Sequence, residues 1–523
     1  MVINLTVAAF LLFCANGPFW HNFVTGLGLE TVGHRGFLLA VGLSLFMAFN
    51  LLFSFFSFRP VYKPFLIIVL LTAATVNYFM SSYGIVIDRQ MITSLLETDV
   101  GEASEHLTWP LFKHFFILGV FPSAALLLTR VSYLPWRREL LVRIGAIMVS
   151  GALLASMLVA DFKNFALFGR EHSELRMYIN PTYPIYSLIK VLHTNQQSKR
   201  NEPLRVVAAD ARRPDIGPKT VVVMVVGETA RAQNFSLNGY HRNTNPELSA
   251  RDIFNFTEVQ SCGTDTAESL PCMFSHLGKA QFGRTEAKRY ENLLDVLQRT
   301  GVRVVWRDNN SGSKGISDRV ATELLNNEKD EAFCSAGECY DEILLKNLGE
   351  LINRNSGDML IVLHQNGSHG PSYYKRHPKN FKVFTPECTQ DNIQDCDPRS
   401  IINAYDNTIL YTDYFLAKLI DLLKTQSFST AMLYVSDHGE SLGENSIYLH
   451  GLPGFIAPDQ QSHVPMVFWA SGKFMLDKNI DPSLLKKRER DRLSHYNLFH
   501  SILGLFGIKS NLYRSHLDLF HTS

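Results

Sequence analysis

Five apolar stretches in the first third of the chain are each long enough to cross a bilayer: Val2–Phe23, Gly36–Phe58, Pro64–Tyr83, Leu111–Val131 and Ile144–Phe165. A helix needs about 20 apolar residues to traverse the hydrocarbon core. Helices of a soluble core are shorter and keep a polar stripe. The loops between the runs set the orientation. Arg59 and Lys63 lie between the second and third runs, and Arg130, Arg137, Arg138 and Arg143 between the fourth and fifth. The opposite loops, HNFVTGLGLETVGHR and YGIVIDRQMITSLLETDVGEASEHLTWP, are poor in Lys and Arg, and the second is acidic. Positive loops stay in the cytoplasm, so the amino terminus is expected inside and everything after about residue 166 outside. The first run has almost no charged flank and no A-x-A site, so it is expected to be retained rather than cleaved.

A chain of 523 residues has room for more than one domain. The apolar third is offset by a remainder with the polarity of an ordinary soluble protein. A net charge of +1 removes the electrostatic case for a nucleic-acid partner. Cysteine placement tests the topology independently. Cys14 falls in the first run, whereas Cys262/Cys272, Cys334/Cys339 and Cys388/Cys396 form close pairs in the second part. Six cysteines allow fifteen connectivities, but the spacing favours pairing between neighbours, which requires an oxidising compartment. No C-x2-C pair supports a zinc cluster instead. The expected division is residues 1–166 in the membrane, 167–214 as an amphipathic connector, and 215–523 as an extracytoplasmic domain.

From Thr220 the pattern changes. TVVVMVVG, VRVVW, DMLIVLH, TAMLYVSD and VPMVFWA are apolar and β-branched, as strands buried on both faces should be. Between them RYENLLDVLQRT, YDEILLKNLGELINR and YDNTILYTDYFLAKLIDLLKT carry apolar residues at helical spacing. This alternation predicts a mostly parallel sheet with helices on both faces, whose ligands gather beyond the carboxyl ends of the strands. Those ends carry Glu228, then Asn310 and Lys314 in RDNNSGSK, then His364 and His369 in HQNGSHGP, then Asp437 and His438, with His450 shortly after. Carboxylates and imidazoles are the ligands that a catalytic zinc accepts, with one position left for the reacting group.

The segment SCGTDTAESLPCMFS, residues 261–275, supplies hydroxyls at Thr264, Thr266 and Ser269 inside a cysteine clamp. A threonine alcohol holds its proton too tightly to attack at neutral pH. Coordination to a dication releases that proton, much as zinc-bound water ionises near pH 7, so a metal can activate the hydroxyl without a histidine base. Spacing alone leaves the three hydroxyls equivalent. Lys314, Asn310, His369 and His450 would supply charge and hydrogen bonds to a phosphoryl group.

Taken together, GETAR, SCGTDTAESLPCMFS, RDNNSGSK, HQNGSHGP and SDHGESLGENSIYLHG resemble the lipid A phosphoethanolamine transferases, the EptA/MCR family. These are membrane-anchored members of the alkaline phosphatase and sulfatase superfamily. The resemblance extends over essentially the whole chain, including the acidic ETDVGEA loop and INP in the connector. It implies a five-helix transmembrane domain plus an α/β/α alkaline-phosphatase-like domain. It also implies transfer of phosphoethanolamine from phosphatidylethanolamine to a threonine and then to a phosphate of lipid A, with lowered affinity for polymyxin. By the motif C-G-T-x-T the nucleophile falls on Thr266, and the ligands of one firmly held Zn2+ on Glu228, Thr266, Asp437 and His438. Contacts to substrate phosphate, or to a second metal during turnover, fall on Asn310, Lys314, His369 and His450. The resemblance further implies three disulfides and an inner-membrane protein, expected as a monomer, whose catalytic domain is periplasmic. Asp265 and Glu268 flank the nucleophile and would weaken phosphate binding if they pointed inward. Glu97 and Glu102 are candidates to meet the donor ethanolammonium. The rival readings are transfer to another envelope glycan, transfer of phosphoglycerol, hydrolysis of a phosphate or sulfate ester, and a non-enzymatic sensor with a structural zinc.

Overall fold

The computed structural model describes residues 2–27, 32–97, 104–198, 203–215, 217–326, 328–335, 338–390 and 393–521. The chain forms two compact units, Met1–Ile92 with His106–Leu192 and Thr93–Glu105 with His193–Ser523. Glu102 lies outside the described residues.

In the first unit the helices Arg35–Phe55, Tyr62–Tyr83, Trp109–Leu128 and Trp136–Ala160 are long and apolar enough to span a membrane. The first apolar run departs from the expected single span. It is two helices, Val2–Cys14 and Gly17–Thr25, bent by 56°, so among the described residues there are four unbroken candidate spans and a fifth only if the bent pair is one crossing. The break has a local cause. Pro18 has no N–H to continue a helix, and Asn16 turns its side-chain amide onto Leu11 O at 2.9 Å and Asn180 O at 2.7 Å. Asn180 in turn donates from its backbone to Asn16 Oδ1 (2.8 Å) and from its side chain to Ala15 O (2.9 Å) and Ala73 O (2.8 Å). Backbone groups freed by a break inside a membrane must find such partners, because lipid offers none. The INP segment thus serves the fold of the membrane unit.

Polar side chains also join the spans. Asn50 donates to Ser150 Oγ at 2.8 Å, and Tyr62 to Asn4 Oδ1 at 2.6 Å, the interhelical glue expected where no hydrophobic drive separates helix from lipid. Trp136–Ala160 leaves Leu141, Met148, Val149 and Val159 largely exposed, as a lipid-facing surface requires.

The second unit is built on one eight-stranded sheet. In chain order its strands are β1 (Thr220–Gly227), β2 (Phe254–Gln260), β3 (Arg303–Asp308), β4 (Ala321–Leu324), β5 (Met359–His364), β6 (Ser429–Ser436), β7 (His463–Ala470) and β8 (Leu493–Ser494). They lie in the order β8-β2-β7-β6-β1-β5-β3-β4. Every pairing is parallel except those of β7, which runs against both β6 and β2. Every residue of β1 and β6 is buried, because helices such as Leu293–Arg299, Pro398–Lys424 and Tyr496–Leu505 contribute buried apolar faces. The sheet is therefore mostly parallel, as predicted. The strand Phe254–Gln260 was not anticipated, since its alternating burial lacks the continuous apolar run of its neighbours. Three disulfides close, Cys262–Cys272, Cys334–Cys339 and Cys388–Cys396.

Leu360 in β5 is fully buried in the main core. Leu360→Ala should lower unfolding stability by about 2–5 kcal/mol, the cost of lost burial plus a cavity, measured by denaturant unfolding of the full chain in detergent.

Candidate active site

Register brings the chemistry together. Gly227 at the end of β1 pairs with Ser436 at the end of β6, so Glu228 and Asp437 leave neighbouring strands side by side. Val226 pairs with His364, which pairs with Asp308, so the loops after β5 and β3 open at the same rim. The polypeptide after β1 makes an unusual turn, with Thr229 at φ 52°. That left-handed conformation is costly for a β-branched residue. It is held by Thr229 N donating to Asp437 Oδ1 at 3.2 Å and by Tyr405 donating to Thr229 O at 2.7 Å. Two glycines allow the close approach. A Cβ at Gly439 would lie 2.1 Å from Gln460 O, and one at Gly367, where φ is 57°, would lie 2.6 Å from Glu228 O.

Thr266 begins the helix Thr266–Met273, capped by the Asp265 side chain, which accepts from Glu268 N. Thr266 Oγ1 lies 3.1 Å from Glu228 Oε1 and 3.3 Å from His438 Nε2. His438 Nε2 is 3.2 Å from Glu228 Oε1 and 3.4 Å from Asp437 Oδ2. The other two hydroxyls are placed elsewhere. Thr264 Oγ1 donates to Leu452 O at 2.6 Å, and Ser269 Oγ is buried with no hydrogen-bond partner among the described residues.

Among the described residues, Glu228, Asp437 and His438 form a group able to hold a metal, with ligand atoms within 4.8 Å of one another. The donor set fits a dication on three counts. Asp437 Oδ2 is buried and makes no hydrogen bond among the described residues, an arrangement that costs free energy unless something charged completes it. His438 Nδ1 bonds Gly439 O at 2.9 Å, which leaves Nε2 as the ligating nitrogen. Asn310 donates to Glu228 Oε2 at 2.7 Å and to Gln365 O at 2.8 Å, fixing the carboxylate.

The electrostatics reflect three ionisable groups in one dry space. Burial pushes Glu228 up, but the hydrogen bond and charge of His438, with His369 and His364 beyond, hold it below the ordinary carboxylate range. Burial and the Glu228 charge raise Asp437. Burial disfavours the charged form of His438, yet Asp437 and Glu228 outweigh it and raise the imidazole.

The remaining sequence-derived residues divide into two sets. His450 stacks 4.4 Å from the His438 ring and His369 5.4 Å from His450, forming a row that leads away from the cluster. His450 Nδ1 is 3.2 Å from the buried Glu440. Lys314 stands apart from the cluster. Its Nζ donates to Ser311 Oγ at 2.7 Å and to Glu97 O at 3.2 Å, beside a cavity of about 570 Å³ also lined by Pro271, Ser275 and Arg319. Glu97 pairs with Arg284 and with Lys288, so its charge is already met. Asp265 receives Ser94 Oγ at 2.9 Å besides capping its helix.

Sequence reasoning missed the supports. Arg231 joins Glu444 Oε1 (2.7 Å) to Glu440 O (3.1 Å). Asp341 receives Asn366 N (2.8 Å) and Gly367 N (3.0 Å), shaping the loop before His369. Arg376 donates to His369 O at 2.9 Å and to Glu105 Oε2 at 2.7 Å. The acids and arginines were visible in sequence, but nothing there separated a buried support from a solvated charge.

A buried acid–histidine cluster at the strand ends of a mostly parallel sheet, with a hydroxyl at a helix start, defines a sulfatase-type catalytic domain. A family model described as Sulfatase matches residues 220–508, and one described as Phosphoethanolamine transferase EptA/EptB matches residues 45–196. The chain is 41% identical to phosphatidylethanolamine transferase Mcr-1 of Escherichia coli, covering 93% of this chain and 94% of that one. It is 37% identical to phosphoethanolamine transferase EptA of Escherichia coli K12, covering 99% and 96%. Among solved structures, the integral membrane lipooligosaccharide phosphoethanolamine transferase A of Neisseria meningitidis superposes with a TM-score of 0.96 at 34% identity, covering 99% of this chain and 98% of that one. The chain belongs to the EptA/MCR family of phosphoethanolamine transferases, inner-membrane enzymes with a periplasmic catalytic domain.

Two outcomes follow for the site. Asn310→Ala should weaken divalent metal binding roughly 10–100-fold, the usual effect of removing a ligand's support, measured by chelator competition. Metal affinity should rise with pH, because His438 and Asp437 both hold protons more tightly than usual without metal and must release them to bind it. Metal titrations at stepped pH with proton-release calorimetry check the sign.

Proposed function

We propose that Thr266 takes phosphoethanolamine from phosphatidylethanolamine as a covalent phosphothreonine and passes it to a phosphate of lipid A. The observation that carries this reading is the position of Thr266 Oγ1, 3.1 Å from Glu228 and 3.3 Å from His438 at the start of a helix. In the first step the Thr266 oxygen forms a bond to phosphorus while the bond to the diacylglycerol oxygen breaks, and that oxygen leaves with a proton. In the second, a lipid A phosphate oxygen attacks the same phosphorus and the Thr266 oxygen departs. Two lipid substrates confined to one membrane meet at a raised effective concentration.

Glu228, Thr266, Asp437 and His438 are the residues that would hold a zinc ion, whose charge would lower the pKa of the threonine alcohol and stabilise negative charge on the phosphoryl group. The chain's own residues supply the rest. Asn310 keeps Glu228 in place. His450 and His369 line the approach from the His438 side, where they contribute charge and hydrogen bonds to the phosphate or to a second metal. Lys314 contributes a further cation from the neighbouring cavity. We assign residues 1–166 to the membrane domain, 167–214 to the connector and 215–523 to catalysis, in a monomer. An added ethanolamine cation reduces the negative charge of lipid A, so cationic peptides such as polymyxin bind it less.

Intact-mass measurement of the purified chain should show one phosphoethanolamine adduct that is absent from Thr266→Ala. Expression in a susceptible host should add the same mass to lipid A and raise polymyxin tolerance. An adduct that persists in Thr266→Ala would refute the assignment, and fast hydrolysis of a soluble phosphodiester with no adduct would favour a hydrolase.

A further inference from the structure

The membrane unit contains an apolar recess. A cavity of about 350 Å³ lies between the bent first helix pair, the helix Val32–Phe55 and the helix Trp136–Ala160, within the size range of ligand pockets. Its mouth is a cluster of rings. Phe23 and Phe168 approach to 4.9 Å, Phe37 and Phe165 to 5.1 Å, and His172 lies over Phe168 at 4.5 Å. From that mouth one wall runs inward along the helix Val32–Phe55, from Phe37 to Ala48, and Leu154 and Leu158 at the end of the helix Trp136–Ala160 line the same space. At the helical rise that wall is about 16 Å long, which matches one leaflet, half of a hydrocarbon core about 30 Å thick.

The mouth also has a defined side and a defined charge. It sits where the last span has ended and the chain continues toward the periplasmic domain, so it opens at the periplasmic leaflet. Arg176 and His172 both line it. Glu174 is taken by His172 at 3.3 Å, whereas Arg176 makes no ion pair among the described residues and is exposed. An apolar slot of one-leaflet depth, rimmed by aromatic rings and headed by an uncommitted guanidinium, matches a lipid with one buried chain and an anionic headgroup.

We propose that this groove is a specific glycerophospholipid site, taking one acyl chain between Phe37 and Leu154 with the lipid phosphate on Arg176. It needs only a single chain, so a lysophospholipid should suffice.

The test is native mass spectrometry of the full chain, delipidated in detergent and titrated with palmitoyl lysophosphatidylglycerol. One lipid should be retained above the background of Val149→Trp, a substitution on the exposed face of the same last span. Arg176→Ala, which removes an exposed side chain and should not disturb folding, and Val41→Trp, which fills the groove, should each cut retention roughly tenfold. The octanoyl analogue should not be retained. Retention unchanged in either variant, or equal for the octanoyl analogue, would show only the non-specific lipid annulus and overturn the proposal.

Discussion

Two carboxylates and an imidazole share one buried space at the carboxyl edge of the sheet, and most of the catalytic unit can be read as the means of keeping them there. Glu228, Asp437 and His438 are fully buried. Like charges so placed repel, and each loses its hydration. Several neighbouring groups hold the cluster in place. Tyr405 and Thr229 brace the turn after β1, Asn310 restrains one carboxylate, and the Gly439 carbonyl orients the ring. Glycine is required at 367 and 439 for the same reason, since any side chain there would collide with backbone around the cluster.

The parallel core was legible because its strands are continuous β-branched runs, and chemistry-bearing residues follow each of them. β2 was not legible, because FNFTEVQ alternates in burial and carries no long apolar run. The reversed direction of β7 left no mark in local pattern, since a doubly buried strand looks alike in either sense. At the site, the acids and histidines could be found from their positions after strands, but their division of labour could not. Asn310 was read as a substrate-phosphate contact, and its amide also holds Glu228 and Gln365, a role that spacing does not show. Asp265 was a possible obstacle to phosphate, and it is an N-cap. Both outcomes depend on contacts between residues far apart in sequence.

The membrane unit meets a different constraint. Its first apolar run reads as an ordinary span because hydropathy does not register a break that polar residues repair. Asn16 and Asn180 together satisfy the backbone around that break. A short polar motif in the connector therefore packs into the membrane unit, and only the three-dimensional pairing reveals it.

The Cys262–Cys272 link ties the segment before Thr266 to the helix Thr266–Met273. Its closure belongs to the chain's life history, not only to its resting shape. A newly synthesised polypeptide still on the reducing side of the membrane carries the threonine without the brace. The covalent brace around Thr266 therefore forms only once this part of the chain reaches an oxidising compartment.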